Sequence, residues 1–184
     1  MDWGYLFFIV VMAIVLIAAF SYMAYKQGQH QKAQKDDNTE KKEMLDLMTM
    51  VMEEEFSKYA YVVGYFTKVQ QKIGSTVYYY FPYILAFTQD ELIIFPFIKK
   101  DKKLYIRNRM DVDWAHTELK YSNRKNGVTL NFKMLGEKMP IKVDAVIKGT
   151  GVEKSDRPLC VYQEQEFELL MRYLPGYVAK SKKA

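Results

Sequence analysis

The chain contains 184 residues, with 27 lysines and arginines against 22 aspartates and glutamates, which leaves a formal net charge of +5. The composition is 49% hydrophobic and 15% aromatic, which excludes a disordered or collagen-like chain and predicts a packed core. The single cysteine, Cys160, excludes an intramolecular disulfide and a cysteine-based zinc finger. We expect Cys160 to be a buried structural residue, and we expect no metal and no cofactor.

The first feature in chain order is an uncharged stretch from Trp3 to Tyr25. As a helix it would span about 34 Å, slightly more than the hydrocarbon core of a bilayer. It lacks the basic start and small-residue cleavage site of a signal peptide, and lysines follow it but do not precede it. The sequence therefore predicts a single transmembrane helix at residues 3–25. The N-terminus would lie outside the cell and the C-terminal domain in the cytoplasm, as in a single-pass protein of the cell membrane.

A polar linker is predicted at residues 26–42, followed by an acidic, methionine-rich amphipathic helix at residues 43–58. Residues 36–55 carry a net charge of −6, and the apolar positions among them recur every three or four residues. Two interpretations are open: the helix packs on its own domain, or it docks a partner or a second copy of the chain. The residues of this partner-helix hypothesis are Met44, Leu45, Met48, Met52 and Phe56.

Beyond Phe56 the sequence becomes rich in β-branched and aromatic residues, which predicts strands. Seven are expected, at residues 59–68, 76–88, 91–98, 104–109, 112–121, 128–134 and 138–144. The first is ambiguous, because the helical pattern could instead continue through residues 59–73. Pro82 and Pro96 cannot donate to a ladder, which indicates sheet edges or bulges at those two points.

A final helix is predicted at residues 163–174, where Phe167, Leu170, Met171 and Leu174 form an apolar stripe. Pro175 and Gly176 are expected to end it, before a basic tail at residues 176–184. The predicted fold class is therefore α+β and mainly β. A single transmembrane helix precedes an antiparallel β-barrel or sandwich at residues 59–175, which the C-terminal helix caps.

Three segments of this domain resemble the pleckstrin-homology-like group, in particular bacterial PH-like and GRAM-type domains. They are the hairpin Ile84–Phe95, the strand entry Met110–Trp114 and the C-terminal helix at residues 167–174. The resemblance implies a non-catalytic module that binds lipid headgroups, peptides or neighbouring proteins.

Side chains suited to catalysis or metal binding are few. Asp111, Asp113, His116 and Glu118 are the one cluster of metal-ligand types, but along a strand the first two and the last two would lie on opposite faces. No nucleophile or phosphate-loop motif occurs in the sequence. We expect no catalytic residues, and an enzyme using residues 111–118 is the weakest alternative.

The basic segment at residues 99–109 carries a net charge of +5. Its members are Lys99, Lys100, Lys102, Lys103, Arg107 and Arg109. Their spacing resembles the basic signature of phosphoinositide-binding PH domains. The segment is interpreted either as a charged turn that keeps an edge soluble or as a site for anionic lipid.

The resulting hypothesis is a membrane-tethered, non-catalytic binding module that engages anionic lipid headgroups or a membrane-associated protein through this basic hairpin. The alternative is a structural subunit of a larger membrane complex, docked through the methionine-rich helix or a β-face. Self-association is left open, and nucleic acid is not expected because no RNA-binding motif or reading helix is evident.

Overall fold

The protein is described from a computed structural model, which covers residues 12, 16–18, 20–22, 38–72, 75–100, 103–134, 136–147 and 160–182. The chain divides into two units, Met1–Asn38 and Thr39–Ala184. In the first unit, residues 12, 16–18 and 20–22 are helical. The second unit begins with helix α1 (Thr39–Met52), continues through a 3-10 helix (Glu53–Lys58) and ends with helix α2 (Glu164–Ser181).

Between the two helices the described residues form ten strands. They are β1 (Ala60–Lys72), β2 (Ser75–Phe87), β3 (Leu92–Lys100), β4 (Lys103–Ile106), β5 (Met110–Asp111), β6 (Thr117–Arg124), β7 (Gly127–Met134), β8 (Glu137–Asp144), β9 (Val146–Ile147) and β10 (Val161–Tyr162). Eight belong to one antiparallel sheet of order β4-β3-β2-β1-β8-β7-β6, with β5 also pairing with β3. Strands β9 and β10 pair separately. The sequence therefore correctly predicts a mainly β domain with short antiparallel connections.

The sheet separates two hydrophobic cores, because residues 61–63 of β1 and 84–87 of β2 are buried on both faces of the sheet. These two segments are the root of the β1–β2 hairpin. On one face, Val62 and Leu85 join side chains from β3, β6, β7, β8 and α2 in a central core. On the other face, Val63 and Ile84 join α1, β9 and β10 in an outer core. Alternate residues of one strand thus point into different cores, as the period of two requires. This explains why the buried stretches read as continuous apolar runs rather than as alternating ones.

The predicted end of the last helix is wrong, because α2 continues through Pro175 and Gly176 to Ser181. The side chain that accounts for the extra turns is Tyr177, which is fully buried and stacks on Trp114 with ring centroids 5.0 Å apart. Its hydroxyl donates hydrogen bonds to the carbonyl oxygens of the β2–β3 loop, at Thr88 and, at 3.2 Å, at Glu91. This tertiary packing offsets the backbone hydrogen bond that proline removes from the helix.

The transmembrane helix and single-pass topology predicted at residues 3–25 are not supported. The fold class is corrected to a mainly β domain, with an eight-stranded antiparallel sheet and a few helices. Over the described residues, no helix combines the length and the apolar composition needed to cross a bilayer. Helix α1 has 14 residues, about 21 Å in length, and α2 places Glu164, Glu166 and Lys180 along its 18 residues. Most of residues 3–25 lie outside the described part of the chain. An uncharged run of this length is compatible with a spanning helix, but it does not by itself establish one.

The ambiguity at residues 59–73 is resolved as strand, because β1 runs from Ala60 to Lys72 and pairs with β2 along its whole length. In an α-helix, Tyr61, Val62 and Val63 would point in directions about 100° apart, so they could not alternate between two opposite cores. The placement of α2 against the central core agrees with a capping C-terminal helix. The resemblance to PH-like domains stays a prediction.

We expect replacement of Gly64 by alanine to destabilise the domain by about 1–3 kcal/mol, because a side chain would overpack the crossing of β1 and β8. A Cβ atom at Gly64 would lie 2.5 Å from Cγ2 of the buried Ile141 and 3.2 Å from the carbonyl oxygen of Lys142. Gly176 is the matched control: it lies in α2 and a Cβ there meets nothing within 4 Å. Gly176→Ala should stabilise by roughly 0.5–1 kcal/mol. Urea unfolding midpoints measure both, and equal effects of the two variants would contradict this packing.

Candidate functional site

Two hairpins leave the sheet where the ladder between β2 and β3 stops. The last pair of that ladder is Tyr83 with Pro96, and Pro82 precedes it on β2. Neither proline can donate a backbone hydrogen bond, so the ladder cannot be continued regularly past them. Instead, the Pro96 carbonyl accepts a 2.8 Å hydrogen bond from the amide of Arg107. The indication of sheet edges at the two prolines is thus explained by the divergence of β3 from β2.

Beyond this point β1 and β2 continue as a two-stranded ribbon, defined here as residues 66–72 and 75–82. On the other side of β1, pairing with β8 is confined to Gly64 and Tyr65. Within the described residues the ribbon therefore has no third strand on either side. Along β2 it extends for about 26 Å, at roughly 3.3 Å per residue.

The ribbon exposes aromatic and aliphatic side chains. Phe66 and Phe81 are directly paired and their rings stack with centroids 5.9 Å apart, yet Phe81 is still 44% exposed. Val69 is 53% exposed. On the opposite face, to which Val69 also belongs, Tyr65 at the base of the ribbon and Tyr80 approach with ring centroids 6.0 Å apart. Both faces of a projecting element are thus apolar, which is the pattern of a surface that contacts something else.

The root of the ribbon is clamped by a polar network at the β1–β8 crossing. The hydroxyl of Tyr65 donates a 2.7 Å hydrogen bond to Asp144, whose other carboxylate oxygen forms a 2.7 Å ion pair with Arg124. Gln163, 1% exposed, bonds both the amide and the carbonyl of Val63 at 2.7 and 2.8 Å. Burial and the Asp144 hydrogen bond raise the pKa of Tyr65 to about 12. The ribbon therefore projects from a fixed base.

The second projecting element is the β3–β4 hairpin, which contains most of the predicted basic site. Lys99 and Lys100 lie at the end of β3, and Lys103 begins β4. Lys100 and Lys103 are both exposed and directly paired. Lys102 lies outside the described residues. In an antiparallel meander this hairpin end and the ribbon end point toward the same end of the sheet.

The two arginines of the predicted site do not continue this hairpin. Strand β4 ends at Ile106, so Arg107 and Arg109 lie in a non-strand segment rather than on one strand face. The guanidinium of Arg109 forms ion pairs with Asp111 at 2.8 Å and with Glu55 at 3.3 Å. Arg109 therefore links β5 to the 3-10 helix, whereas Arg107 is exposed.

The cluster of metal-ligand types is divided among separate partners. Asp111 pairs with Arg109, His116 Nδ1 lies 2.7 Å from Asp113, and Glu118 lies 3.2 Å from Lys133. Across the residues that the structure describes, no three His, Cys, Asp or Glu side chains lie close enough together to hold a metal ion.

The methionine stripe of α1 faces its own domain. Met44, Met48 and Met52 are 1%, 0% and 3% exposed and belong to the outer core, with Leu45 and Phe56 packed against it. This is the first of the two interpretations of the helix, and it leaves those three methionines without surface for a partner. The partner-docking role itself stays a prediction.

Sequence reasoning placed residues 76–88 in a strand but missed the ribbon as a surface. The available signal was the uninterrupted aromatic run at residues 78–81. A half-buried strand alternates in polarity, whereas an aromatic run without alternation offers apolar side chains to both faces. At residues 84–87 both faces are covered by cores, and at 79–81 neither is fully covered. The covered and the uncovered part of β2 differ only in position relative to the point at which β3 and β8 stop pairing with the hairpin.

No protein-family model, no curated protein and no solved structure matches the chain. The candidate surface therefore stands on its own geometry.

We expect Met48→Ala to destabilise the domain by about 2–5 kcal/mol, because it would leave a cavity in the outer core. Met50 is the matched control: it lies on the same helix and is 69% exposed. Met50→Ala should change the free energy of unfolding by less than about 0.5 kcal/mol. Chemical denaturation measures both, and a harmless Met48→Ala would show that α1 does not pack on the sheet.

We expect the stability of the domain to fall at alkaline pH. The pKa of Tyr65 is about 12 in the folded state, above its ordinary value of about 10, so the unfolded chain loses this proton first. The stabilisation that the protonated Tyr65 hydroxyl contributes is complete below about pH 10 and is lost as the pH rises toward about 12. Tyr65→Phe removes the ionisable hydroxyl and should make this decline shallower. Unfolding free energies measured between about pH 9 and 12 test the expectation, and identical slopes for both proteins would oppose it.

Proposed function

We propose that the protein is a non-catalytic binding module that engages the headgroups of an anionic lipid surface through its β3–β4 hairpin. The observation that carries the proposal is the direct pairing of Lys100 with Lys103 at the hairpin end. Like charges directly opposite each other on a hairpin are destabilising. An anion bound between them would turn this repulsion into attraction, so the arrangement favours a negatively charged partner.

The surrounding charges support the same reading. Arg109, Arg124, Lys133 and Lys180 each have a carboxylate partner within the domain. Lys100 and Lys103 instead face each other, and Lys99 is next in sequence. Each basic residue near an anionic bilayer surface contributes about 1 kcal/mol, so several are needed for stable binding. A flat surface of headgroups can contact all of the hairpin lysines at once, which a single small anion cannot.

The test is co-sedimentation of residues 38–184 with vesicles. This segment is chosen because it contains both hydrophobic cores. Lys100→Glu/Lys103→Glu should weaken partition onto phosphatidylserine vesicles by at least about 30-fold, for a loss of roughly 2 kcal/mol. Cooperative urea unfolding of each variant establishes that it is folded.

The matched control is Lys120→Glu/Lys125→Glu, which makes the same change of charge at two exposed residues of β6 and its turn. Because charges beyond about one Debye length from the bilayer are screened, binding should fall much less. Equal losses in both variants would show an unspecific charge effect. Equal binding of the unaltered segment to neutral vesicles would contradict a headgroup site.

A further inference from the structure

We propose that the ribbon is a homodimerisation element, in which the free edge of β2 at residues 75–81 pairs antiparallel with the same edge of a second copy of the chain. The proposal is independent of lipid binding. It rests on the open edges of the ribbon, on the difference in charge between those edges, and on the position of Pro82.

The ribbon is incomplete as it stands. An isolated two-stranded hairpin is at best marginally stable in water, and three or more strands with an apolar face are needed for independent stability. The ribbon has two strands, exposed apolar residues such as Phe81 and Val69, and backbone groups on both edges without a neighbouring strand among the described residues. Pairing with a second ribbon would give four strands and would bring side chains of the two copies into contact on both faces.

A bilayer interior does not suit the ribbon as an occupant. Open sheet edges carry unpaired backbone amides and carbonyls, and each unsatisfied group costs several kcal/mol, roughly, in hydrocarbon. A strand from another protein copy satisfies these groups, and its side chains contact the apolar side chains beside them on each face. The ribbon therefore fits a protein strand better than it fits lipid.

The two edges differ in charge, and this selects β2. Residues 66–72 of β1 include Lys68 and Lys72, and lysine on an edge strand discourages pairing with another strand. Residues 75–81 of β2, with the sequence STVYYYF, contain no charge and no proline. Seven residues of high β-propensity and no charge are the composition that pairs with a copy of itself. Self-pairing of β2 brings no like charges together, whereas self-pairing of β1 would.

The same features limit the assembly to two copies. Pairing β2 with β2 by a two-fold axis is isologous, so it uses the edge completely and closes. The new sheet would have the order β1-β2-β2-β1, with the lysine-bearing β1 strands on both outer edges. At the root, Pro82 ends the region that can pair, and β3 turns away to place Phe97 in the outer core. The geometry thus favours a closed dimer over an open fibre.

Thr76 and Gln71 provide a matched pair of test positions. They are direct cross-strand partners, both are exposed, and they lie at the same level of the ribbon. A lysine at Thr76 would stand on the free edge of β2 twice in each dimer, whereas a lysine at Gln71 would stand on the already basic β1. Both changes add the same charge far from either core.

The experiment is sedimentation velocity of the full chain over a range of concentrations. We expect the wild type and Gln71→Lys to dimerise, and Thr76→Lys to weaken the dimer by at least about tenfold. Urea midpoints equal to that of the wild type, measured at concentrations too low for the dimer to form, would show that both variants are folded. A wild type that stays monomeric, a dimer that persists fully in Thr76→Lys, or equal weakening by Gln71→Lys would each overturn the proposal.

Hydrogen exchange provides a second measurement that does not depend on a variant. In the dimer, amides within residues 75–81 gain protection that is lost on dilution, whereas amides on the outer edge of β1 do not. Protection that is independent of concentration, or that increases equally on both strands, would also overturn the assignment of the β2 edge.

Discussion

The structure depends on the root of the β1–β2 hairpin being buried on both of its faces. Residues 61–63 and 84–87 form a wall whose alternate side chains enter the central core and the outer core. Because α2 covers one side and α1 the other, neither helix can be lost without exposing part of this wall. Gly64 lets β8 approach at the end of the wall, and Gln163 ties β1 to the start of α2. Every other element is positioned relative to these few residues.

The wall ends where two prolines interrupt the ladder, and the projecting surfaces begin there. Past Pro96, strand β3 folds with β4 toward the outer core, while β1 and β2 continue without it. The loss of a few backbone hydrogen bonds at this level therefore produces two distinct hairpins from one continuous meander. One has an aromatic and uncharged edge, and the other ends in paired lysines. Because their chemistry differs, we propose different partners for them, a second copy of the chain and an anionic surface.

The basic residues discussed above fall into two groups that differ in their partners. Arg124 and Arg109 lie against carboxylates and join strands to neighbouring elements, and Lys180 holds Asp90 in the β2–β3 loop at 2.6 Å. The lysines at the end of β3–β4 face one another. The net charge of +5 alone does not distinguish these two groups. A carboxylate partner can lie far away in the chain, since Asp90 is ninety residues from Lys180.

By itself, the sequence determined the mainly β class, the approximate positions of the principal strands and the amphipathic face of α1, because local polarity patterns follow directly from strand and helix periods. It did not determine that α2 passes through Pro175, since only the packing of Tyr177 against Trp114 outweighs the proline. Nor did it separate Arg109 from Lys100, because Glu55 lies 54 residues away in the chain. The aromatic run at residues 78–81 was visible, but its role depends on where the flanking strands diverge. That is decided by long-range pairing, which local patterns do not encode.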